Sequence, residues 1–278
     1  MKAEEVKKSG DSNLKRVSSA LIGFPLVALI FILGNKYIIS IGLAIIAMLS
    51  MHEYLHAVAK KSNPIKWVSY LSCILIALIG FLKPEQYGNA ILTAIPTILL
   101  VLFTQVIVTG MKTNFNDLVY TFIGIIYISF FIGSMAMVRG LENGRLLIWY
   151  VIFAGWATDV FAYAIGRRFG KHKFSEVSPK KSIEGCIAGT IGAIAVTLIY
   201  TYFINTYAGV EYSYLYISII ALVLSLIGQI GDFSASAIKR YVEIKDYGSL
   251  IPGHGGMLDR IDSIMFIAPF AYMLLGLL

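Results

Sequence analysis

The 278-residue chain is 58% hydrophobic and only 14% charged. Soluble globular domains contain about 25% charged residues, so this composition excludes the ordinary soluble class, and it also excludes disordered, collagen-like and disulfide-rich secreted chains. It is typical of a membrane protein. The formal net charge of +7 then points to orientation signals and to phosphate or lipid-headgroup contacts, not to nucleic acid. The two cysteines, Cys73 and Cys186, lack metal-binding spacing, which indicates small buried side chains.

The chain begins with a basic cytoplasmic tail, residues 1–16, in which Lys and Arg are mixed with acidic residues and no apolar face forms. The apolar run that follows has no small-residue cleavage site at its end, so we expect a retained helix and not a signal peptide. With about 20 apolar residues per bilayer crossing, the sequence predicts an all-α polytopic membrane protein with about nine transmembrane helices. The predicted spans are residues 17–34, 37–59, 65–82, 88–109, 118–138, 146–166, 185–206, 214–238 and 261–278.

The distribution of basic residues predicts the orientation, because cytoplasmic loops of membrane proteins hold an excess of Lys and Arg. With the N-terminus in the cytoplasm, all Lys and Arg residues except Lys36, Lys83, Arg139 and Arg145 lie on the cytoplasmic side. The C-terminus is then expected outside.

Polar residues within the spans are concentrated in the second half of the chain. Asp159 and Asp232 each lie about two helical turns before a basic cytoplasmic end, so the two acids share a depth in the membrane. An ionised carboxylate there is costly, and such residues usually face a cavity and pair with a cation. Gly228 and Gly231, close to Asp232, leave room either for a ligand or for a packed helix.

No internal repeat and no flexible linker divides the chain into separate soluble domains. We expect residues 17–144 to form a scaffold, dimer or lipid-facing region. Residues 145–278 are expected to form the catalytic region, with cytoplasmic loops at 167–184 and 239–260.

The segment I-P-G-H-G-G-M-L-D-R-I-D, residues 251–262, is the most specific local motif. Its glycines allow tight turns that expose backbone N–H groups, and a helix begins just after it, which favours phosphate at the helix N-terminus. Asp259 and Asp262 share a face of that helix. Acids beside a phosphate site indicate Mg²⁺ held by carboxylates and phosphates together. The alternative is a helix cap with acids favoured by the helix dipole.

The loop from Ser178 to Gly185 places Lys180 and Lys181 between a proline and a hydroxyl-bearing residue. These lysines suit phosphate binding, but basic loops beside membrane helices also serve as topology signals or headgroup contacts. Local sequence leaves both interpretations open.

The segment H-E-Y-L-H, residues 52–56, matches the zinc-protease pattern H-E-x-x-H, with His52 and His56 on one helix face and Glu53 as the would-be base. An intramembrane zinc protease also needs a third protein ligand in a later helix, and the sequence offers no clear one. Paired histidines near the cytoplasmic end of a span can simply meet water or headgroups. We therefore treat zinc proteolysis as a minor alternative.

Three blocks in the second half carry a family resemblance. The first contains Asp159, Ala162, Tyr163, Gly166 and Arg167, and the second contains Ser178, Pro179, Lys180, Lys181, Ser182, Glu184 and Gly185. The third contains Ser236, Lys239, Arg240, Lys245, Asp246, Gly248, Pro252, His254, Gly255, Gly256, Asp259, Arg260 and Asp262. At these spacings the blocks resemble the signature of the phosphatidate cytidylyltransferase family, the CDP-diacylglycerol synthases.

The resemblance implies transfer of a cytidylyl group from CTP to phosphatidic acid, giving CDP-diacylglycerol and pyrophosphate with Mg²⁺, in phospholipid biosynthesis. It also implies a homodimer among membrane lipids, and it allows a potassium ion near the magnesium. The expected location is the cell (inner) membrane of a bacterial-type cell, with the active-site loops facing the cytoplasm.

The resemblance also implies residue roles. The expected metal ligands are Asp232 and Asp259, with Asp262 and Asp159 as accessory acids. The expected clamps on substrate phosphates are Lys180, Lys181, Lys239, Arg240, Lys245 and Arg260, and the expected orienting donors are Ser178, Ser182 and His254. Further predicted substrate-binding residues are Glu184, Ser236, Asp246, Gly255 and Gly256.

Two other functions remain open. A CTP-dependent kinase of a polyprenol or phytol would share the nucleotide loops, but the complete third block favours cytidylyl transfer; CDP-archaeol synthesis is a closer variant that lipid analysis would separate. A membrane transporter of a phosphate compound would also place acids and lysines within the membrane. It would more typically show inverted repeats and broken helices in both halves.

Overall fold

The computed structural model describes residues 30–174, 178, 181–250 and 255–278, and these residues form helices and their connections. The helices are α1 (Lys36–Val58), α2 (Lys66–Ile79), α3 (Pro84–Val108), α4 (Phe115–Gly124), a π-helical segment (Ile125–Phe130), α5 (Phe131–Gly140), α6 (Gly144–Phe169), α7 (Ile183–Tyr207), α8 (Tyr214–Tyr241) and α9 (Leu258–Leu275). Lys173 and Ser182 form an isolated β-bridge. The predicted all-α class is confirmed for this part of the chain.

Among the described residues, six helical segments are long and apolar enough to cross a membrane. They are α1, α3, the continuous rod Phe115–Gly140 made of α4, the π-helical segment and α5, and then α6, α7 and α8. Helix α2 is apolar but has only 14 residues, and α9 carries Asp259, Arg260 and Asp262 in its first two turns. The predicted span 17–34 lies mostly outside the described residues. The count of nine spans therefore stays a prediction.

Polar residues at the helix starts fix several boundaries. The side chains of Asn35, Asn114, Ser182 and Ser213 accept hydrogen bonds from backbone N–H groups in the first turns of α1, α4, α7 and α8. Such caps satisfy N–H groups that lack a partner within the helix. The loops therefore turn into helices at sites that the sequence itself marks.

Glycines allow the helices of the second half to pack closely. A Cβ atom at Gly189 of α7 would lie 2.7 Å from the Thr158 carbonyl oxygen of α6. A Cβ atom at Gly231 of α8 would lie 2.7 Å from the Phe266 Cβ and 2.8 Å from the Asp262 carbonyl oxygen, both in α9. Small residues let helix backbones approach within a membrane. Of the two roles open for the glycines beside Asp232, the structure supports helix packing.

The connections gather at two opposite ends of the bundle. Beyond the C-terminus of α1, the Lys61 ammonium pairs with the Glu243 carboxylate at 2.9 Å. Before the N-terminus of the same helix, the Gly34 carbonyl accepts from the Arg139 guanidinium at 2.9 Å. We call the first end the loop end. It also carries the described parts of segments 109–114, 170–182 and 242–257. This grouping agrees with the predicted separation of the basic residues, whereas the side of the membrane that the loop end faces stays a prediction.

The close contact of α8 with α9 predicts that Gly231→Ala lowers stability. The added methyl group must push Phe266 or the Asp262 backbone away, and such overpacking costs about 1–3 kcal/mol. The melting temperature of the detergent-solubilised protein should fall by several degrees. Gly42→Ala in α1 is the control, because a Cβ atom there meets nothing within 4 Å. Equal melting temperatures for both variants would contradict this packing.

Candidate functional site

The predicted site residues that the structure describes lie at the loop end, where α6, α7, α8 and α9 meet. Lys180 and His254, together with Pro179 and Pro252, lie outside the described residues. The remaining residues form two ion pairs, a group of acids, an ordered loop and an exposed basic rim.

The first ion pair joins the loop before α7 to α8. The Lys181 ammonium contacts the Asp232 carboxylate, and each side chain is 25% exposed. The same ammonium lies 4.4 Å from the centre of the Phe233 ring, which stacks on Phe174 with 4.6 Å between ring centres. An ammonium over an aromatic face is attracted by the ring's charge distribution. The ion pair and the ring stacking therefore hold this loop against α8 near Asp232.

The second ion pair joins α8 to the start of α9. The Lys239 ammonium lies 2.6 Å from Oδ1 of Asp259, and the two side chains are 13% and 4% exposed. Oδ2 of Asp259 accepts hydrogen bonds from the backbone N–H of Tyr247 at 2.9 Å and of Gly256 at 3.3 Å. Asp259 thus ties Lys239 to two points of the loop between α8 and α9.

Tyr247 anchors that loop against α8. Its hydroxyl donates to the Ala235 carbonyl at 3.3 Å, and burial raises the pKa of the Tyr247 phenol well above its usual value. The phenol therefore stays protonated and keeps its hydrogen bond. The Lys239 ammonium lies 5.4 Å from the centre of the Tyr247 ring.

Further acids surround the first ion pair. The hydroxyl of Ser263 lies 3.4 Å from Oδ1 of Asp159, and the backbone N–H of Ser263 donates to Oδ1 of Asp262 at 2.9 Å. Asp262 is buried, whereas the Asp159 side chain remains accessible. The carboxyl groups of Asp159, Asp232 and Asp262 interact with one another electrostatically, and Lys181 and Lys239 offset them. The site therefore combines concentrated negative charge with lysines that balance it.

The described residues between Phe169 and Gly185 form an ordered turn. Ser182 caps α7 by accepting from the Gly185 N–H at 3.1 Å. Glu184 accepts from the His172 backbone N–H, and its Oε1 lies 2.7 Å from Nδ1 of His172. A Cβ atom at Gly185 would lie 3.1 Å from the Gly166 Cα. Ser182 and Glu184, predicted to contact substrate, thus have structural partners that position the loop.

The remaining predicted residues line the rim of the site. Arg240, Lys245, Asp246 and Arg260 are exposed, and Ser236 is half-buried. Gly255 adopts a φ of +90°, a conformation that favours glycine. The exposed side chains provide a mainly positive rim around the two ion pairs, which suits an anionic substrate arriving from water.

An apolar groove with a volume of about 1000 Å³ runs between α7 and α8. Its walls include Ile187, Ile191, Leu226 and Ile230, and Phe174 and Phe233 line it as well. Because Phe233 also lies under the Lys181 ammonium, the groove reaches the first ion pair. An amphiphile could place its apolar part in this groove and its head group near the charged residues.

The acids of the site offer the hard oxygen donors that Mg²⁺ prefers. The described residues contain no group of three or more His, Cys, Asp or Glu side chains that could hold a metal ion alone. Magnesium, however, commonly binds through one or two carboxylates plus substrate phosphates and water. Asp232 and Asp259 each contact a lysine ammonium, which shows that each carboxylate faces a position suited to a cation. The residues fit a magnesium ion completed by phosphate oxygens.

The start of α9 differs from the predicted phosphate cradle. The N–H groups of Met257 and Leu258 donate to the two oxygens of Glu53 at 2.9 Å each, and the Gly256 N–H donates to Asp259. In the structure, carboxylates take these three N–H groups, and phosphate binding by this loop stays a prediction. The alternative, a helix cap with favoured acids, describes this terminus better.

Glu53 is the residue that sequence reasoning missed. It belongs to the H-E-x-x-H segment, but its buried side chain faces α9, whereas His52 and His56 are exposed. Nδ1 of His52 lies 2.9 Å from the Tyr70 hydroxyl. The described residues supply no third ligand that would complete a metal group with these histidines. The sequence signal that could have indicated a role for Glu53 is that it is an acid inside a helix long enough to span a membrane.

Comparison with known proteins defines the class. The family model described as the Cytidylyltransferase family matches residues 14–278, and the chain belongs to this family. A phosphatidate cytidylyltransferase of Bacillus subtilis (strain 168) is 35% identical over 227 residues, which cover 78% of this chain and 82% of that protein. A phosphatidate cytidylyltransferase of Staphylococcus aureus (strain COL) is 31% identical over 266 residues, which cover 94% of this chain and 98% of that protein.

The exposed histidines predict that His52→Ala combined with His56→Ala leaves enzymatic activity nearly unchanged. Neither side chain reaches the ion pairs of the site, and we expect no stoichiometric zinc in the purified protein. Metal analysis of the wild type and activity of the double variant, with and without a zinc chelator, test this. Stoichiometric zinc together with an inactive double variant would restore the protease interpretation.

Proposed function

We propose that this chain transfers a cytidylyl group from CTP to phosphatidic acid, releasing pyrophosphate and giving CDP-diacylglycerol for phospholipid biosynthesis. The observation that carries the proposal is the juxtaposition of Lys181–Asp232 and Lys239–Asp259 at one end of a membrane bundle, beside an apolar groove. Family membership and the printed names of the relatives support it.

The chemistry requires control of negative charge. An oxygen of the lipid phosphate attacks the α-phosphorus of CTP, a new P–O bond forms, and the bond to the β-phosphate breaks as pyrophosphate leaves. The lipid phosphate is already anionic at neutral pH, so the reaction needs no strong general base. It needs cations on the phosphate oxygens. Lys181 and Lys239 supply them inside the site, and Arg240, Lys245 and Arg260 supply them at the rim.

The metal ligands are proposed to be Asp232 and Asp259, with Asp159 and Asp262 adding negative charge nearby. Bound Mg²⁺ would neutralise charge on the phosphates of CTP. In that state the lysines that contact these acids can turn to phosphate oxygens. A potassium ion remains an expectation from the family resemblance alone.

The lipid is proposed to enter through the groove between α7 and α8. Ile187, Ile191, Leu226 and Ile230 offer an apolar path for an acyl chain, and Lys181 lies where the groove meets the charged residues. The phosphate of the lipid would then lie between its apolar chains and the nucleotide. With this arrangement a single site can receive one substrate from the membrane and the other substrate from water.

The topology belongs to the proposal as well. CTP is a cytoplasmic metabolite, so the loop end faces the cytoplasm, and with nine spans the N-terminus lies inside and the C-terminus outside. Labelling of single cysteines placed at Lys61, at the loop end, and at Glu211, at the opposite end, tests which side of the membrane each end faces. The homodimer is retained as a proposal from the family resemblance, and the mass of the detergent-solubilised protein tests it.

Asp232→Asn and Asp259→Asn are each predicted to abolish turnover, because removing one carboxylate opens the proposed ligand set of the metal. The assay supplies purified protein with phosphatidic acid, Mg²⁺ and CTP labelled on the α-phosphate, and it measures label in the lipid. Glu211→Gln, an exposed acid at the opposite end, is the matched control and should keep full activity. Full activity of either aspartate variant would refute its metal role.

The position of the label separates cytidylyl transfer from lipid phosphorylation. Cytidylyl transfer carries the α-phosphate of CTP into the lipid and releases the γ-phosphate in pyrophosphate. A CTP-dependent kinase would instead carry the γ-phosphate to an alcohol. Label from γ-labelled CTP in the lipid fraction would therefore overturn the proposed function.

Lys181→Ala is predicted to raise the KM for CTP or to lower kcat by an order of magnitude or more, with little change in the KM for phosphatidic acid. A lysine contact to a triphosphate acts as a point charge, and its loss weakens both nucleotide binding and leaving-group stabilisation. The same outcome is expected for Lys180→Ala. Lys171→Ala, an exposed lysine before the loop, is the control. Loss of lipid affinity with intact CTP binding would assign Lys181 to the lipid phosphate.

A further inference from the structure

Glu53 connects the first half of the chain to the loop that carries the third block. Its side chain is 6% exposed. Oε1 accepts from the Met257 N–H and Oε2 from the Leu258 N–H, each at 2.9 Å. The carboxylate thus grips the first turn of α9 with both oxygens, and charged acceptors make short, strong hydrogen bonds to backbone N–H groups.

Two glycines of the third block make room for this carboxylate. A Cβ atom at Gly248 would lie 2.6 Å from Oε1 of Glu53, and one at Gly256 would lie 2.6 Å from Oε2. At both positions the three nearest atoms all belong to Glu53. Gly255 has a positive φ, whereas Gly248 and Gly256 do not. Contact with Glu53, and not backbone conformation, therefore favours glycine at 248 and 256, because an added Cβ atom would displace the carboxylate.

Gly256 links Glu53 to the second ion pair. Gly256, which packs against Glu53, donates its N–H to Oδ2 of Asp259, and Oδ1 of Asp259 lies beside the Lys239 ammonium. Movement of residues 256–258 would therefore move Asp259 directly. Glu53 itself touches backbone, not Lys239.

We propose that Glu53 is a positioning residue for cytidylyl transfer: it fixes the start of α9 and so holds Asp259 and Lys239 in place for the metal and the nucleotide. The proposal rests on the function proposed above. It assigns a role in the site to the region expected to be a scaffold, and to the acid of a segment that otherwise matches a protease pattern.

The first experiment compares Glu53→Ala, Glu53→Gln and His56→Ala in purified protein. Glu53→Ala should lower kcat at least tenfold and raise severalfold the Mg²⁺ concentration for half-maximal activity, with the KM for phosphatidic acid unchanged. Glu53→Gln should recover part of the activity, because its amide oxygen can still accept one of the two N–H groups. His56→Ala should behave as wild type. An unchanged Mg²⁺ requirement would show a purely structural role and overturn the proposal.

The second experiment is a double-mutant cycle between Glu53 and Gly256. Gly256→Ala should lower activity and melting temperature in the wild type, but should have little further effect in the Glu53→Ala background, because the clashing carboxylate is gone. Gly255→Ala is the control, since its positive φ predicts a cost in both backgrounds. Equal effects of Gly256→Ala in the two backgrounds would refute the contact.

Hydrogen exchange separates this proposal from the proposed function. Amides of residues 256–262 should exchange at least tenfold faster in Glu53→Ala than in the wild type, whatever reaction the protein catalyses. Faster exchange with a wild type that makes no CDP-lipid would leave the contact standing and reject the function. Unchanged exchange with an active wild type would reject the role of Glu53 alone.

Discussion

The site depends on one constraint: a carboxylate in a membrane bundle must be paired, because an isolated buried charge is very costly. The chain meets this constraint in two ways. Asp232 and Asp259 each contact a lysine ammonium from a neighbouring element, whereas Glu53 accepts two backbone N–H groups. Each pairing joins segments far apart in sequence, so the same contacts that satisfy the acids also assemble the loops over the helix ends.

The glycines of the second half of the chain serve different physical purposes, although they look alike in the sequence. Gly185 lets α7 approach α6, and Gly231 lets α8 approach α9. Gly256 makes room for the carboxylate of Glu53, whereas Gly255 adopts a left-handed backbone conformation. Only the last of these needs glycine for its backbone conformation. A glycine-rich segment next to a helix therefore does not by itself indicate a phosphate cradle, because packed side chains can take both the space and the N–H groups.

Hydropathy predicted the all-helical class and most helix positions, since long apolar runs are a strong local signal. The local depth argument placed Asp159 and Asp232 at similar positions on their helices, and their carboxyl groups do interact electrostatically, whereas their depth in the membrane stays a prediction. The partners of the acids were harder to predict. Nothing near Lys181 in the sequence indicates Asp232, and Glu53 lies 204 residues from Met257. Such contacts depend on helix packing, so a division into a scaffold half and a catalytic half could not foresee Glu53.

The balance of charges connects the structure to the proposed chemistry. Three interacting acids and two lysines share the site, and phosphate oxygens are as good partners for those lysines as carboxylates are. In the proposed site Asp232 and Asp259 would hold the magnesium ion, and Lys181 and Lys239 would then be free to contact phosphate oxygens. The apolar groove ends at Phe233, directly beneath one of these lysines, so in the proposed transfer the lipid chains stay among apolar side chains while the lipid phosphate lies next to the CTP that Lys181 binds.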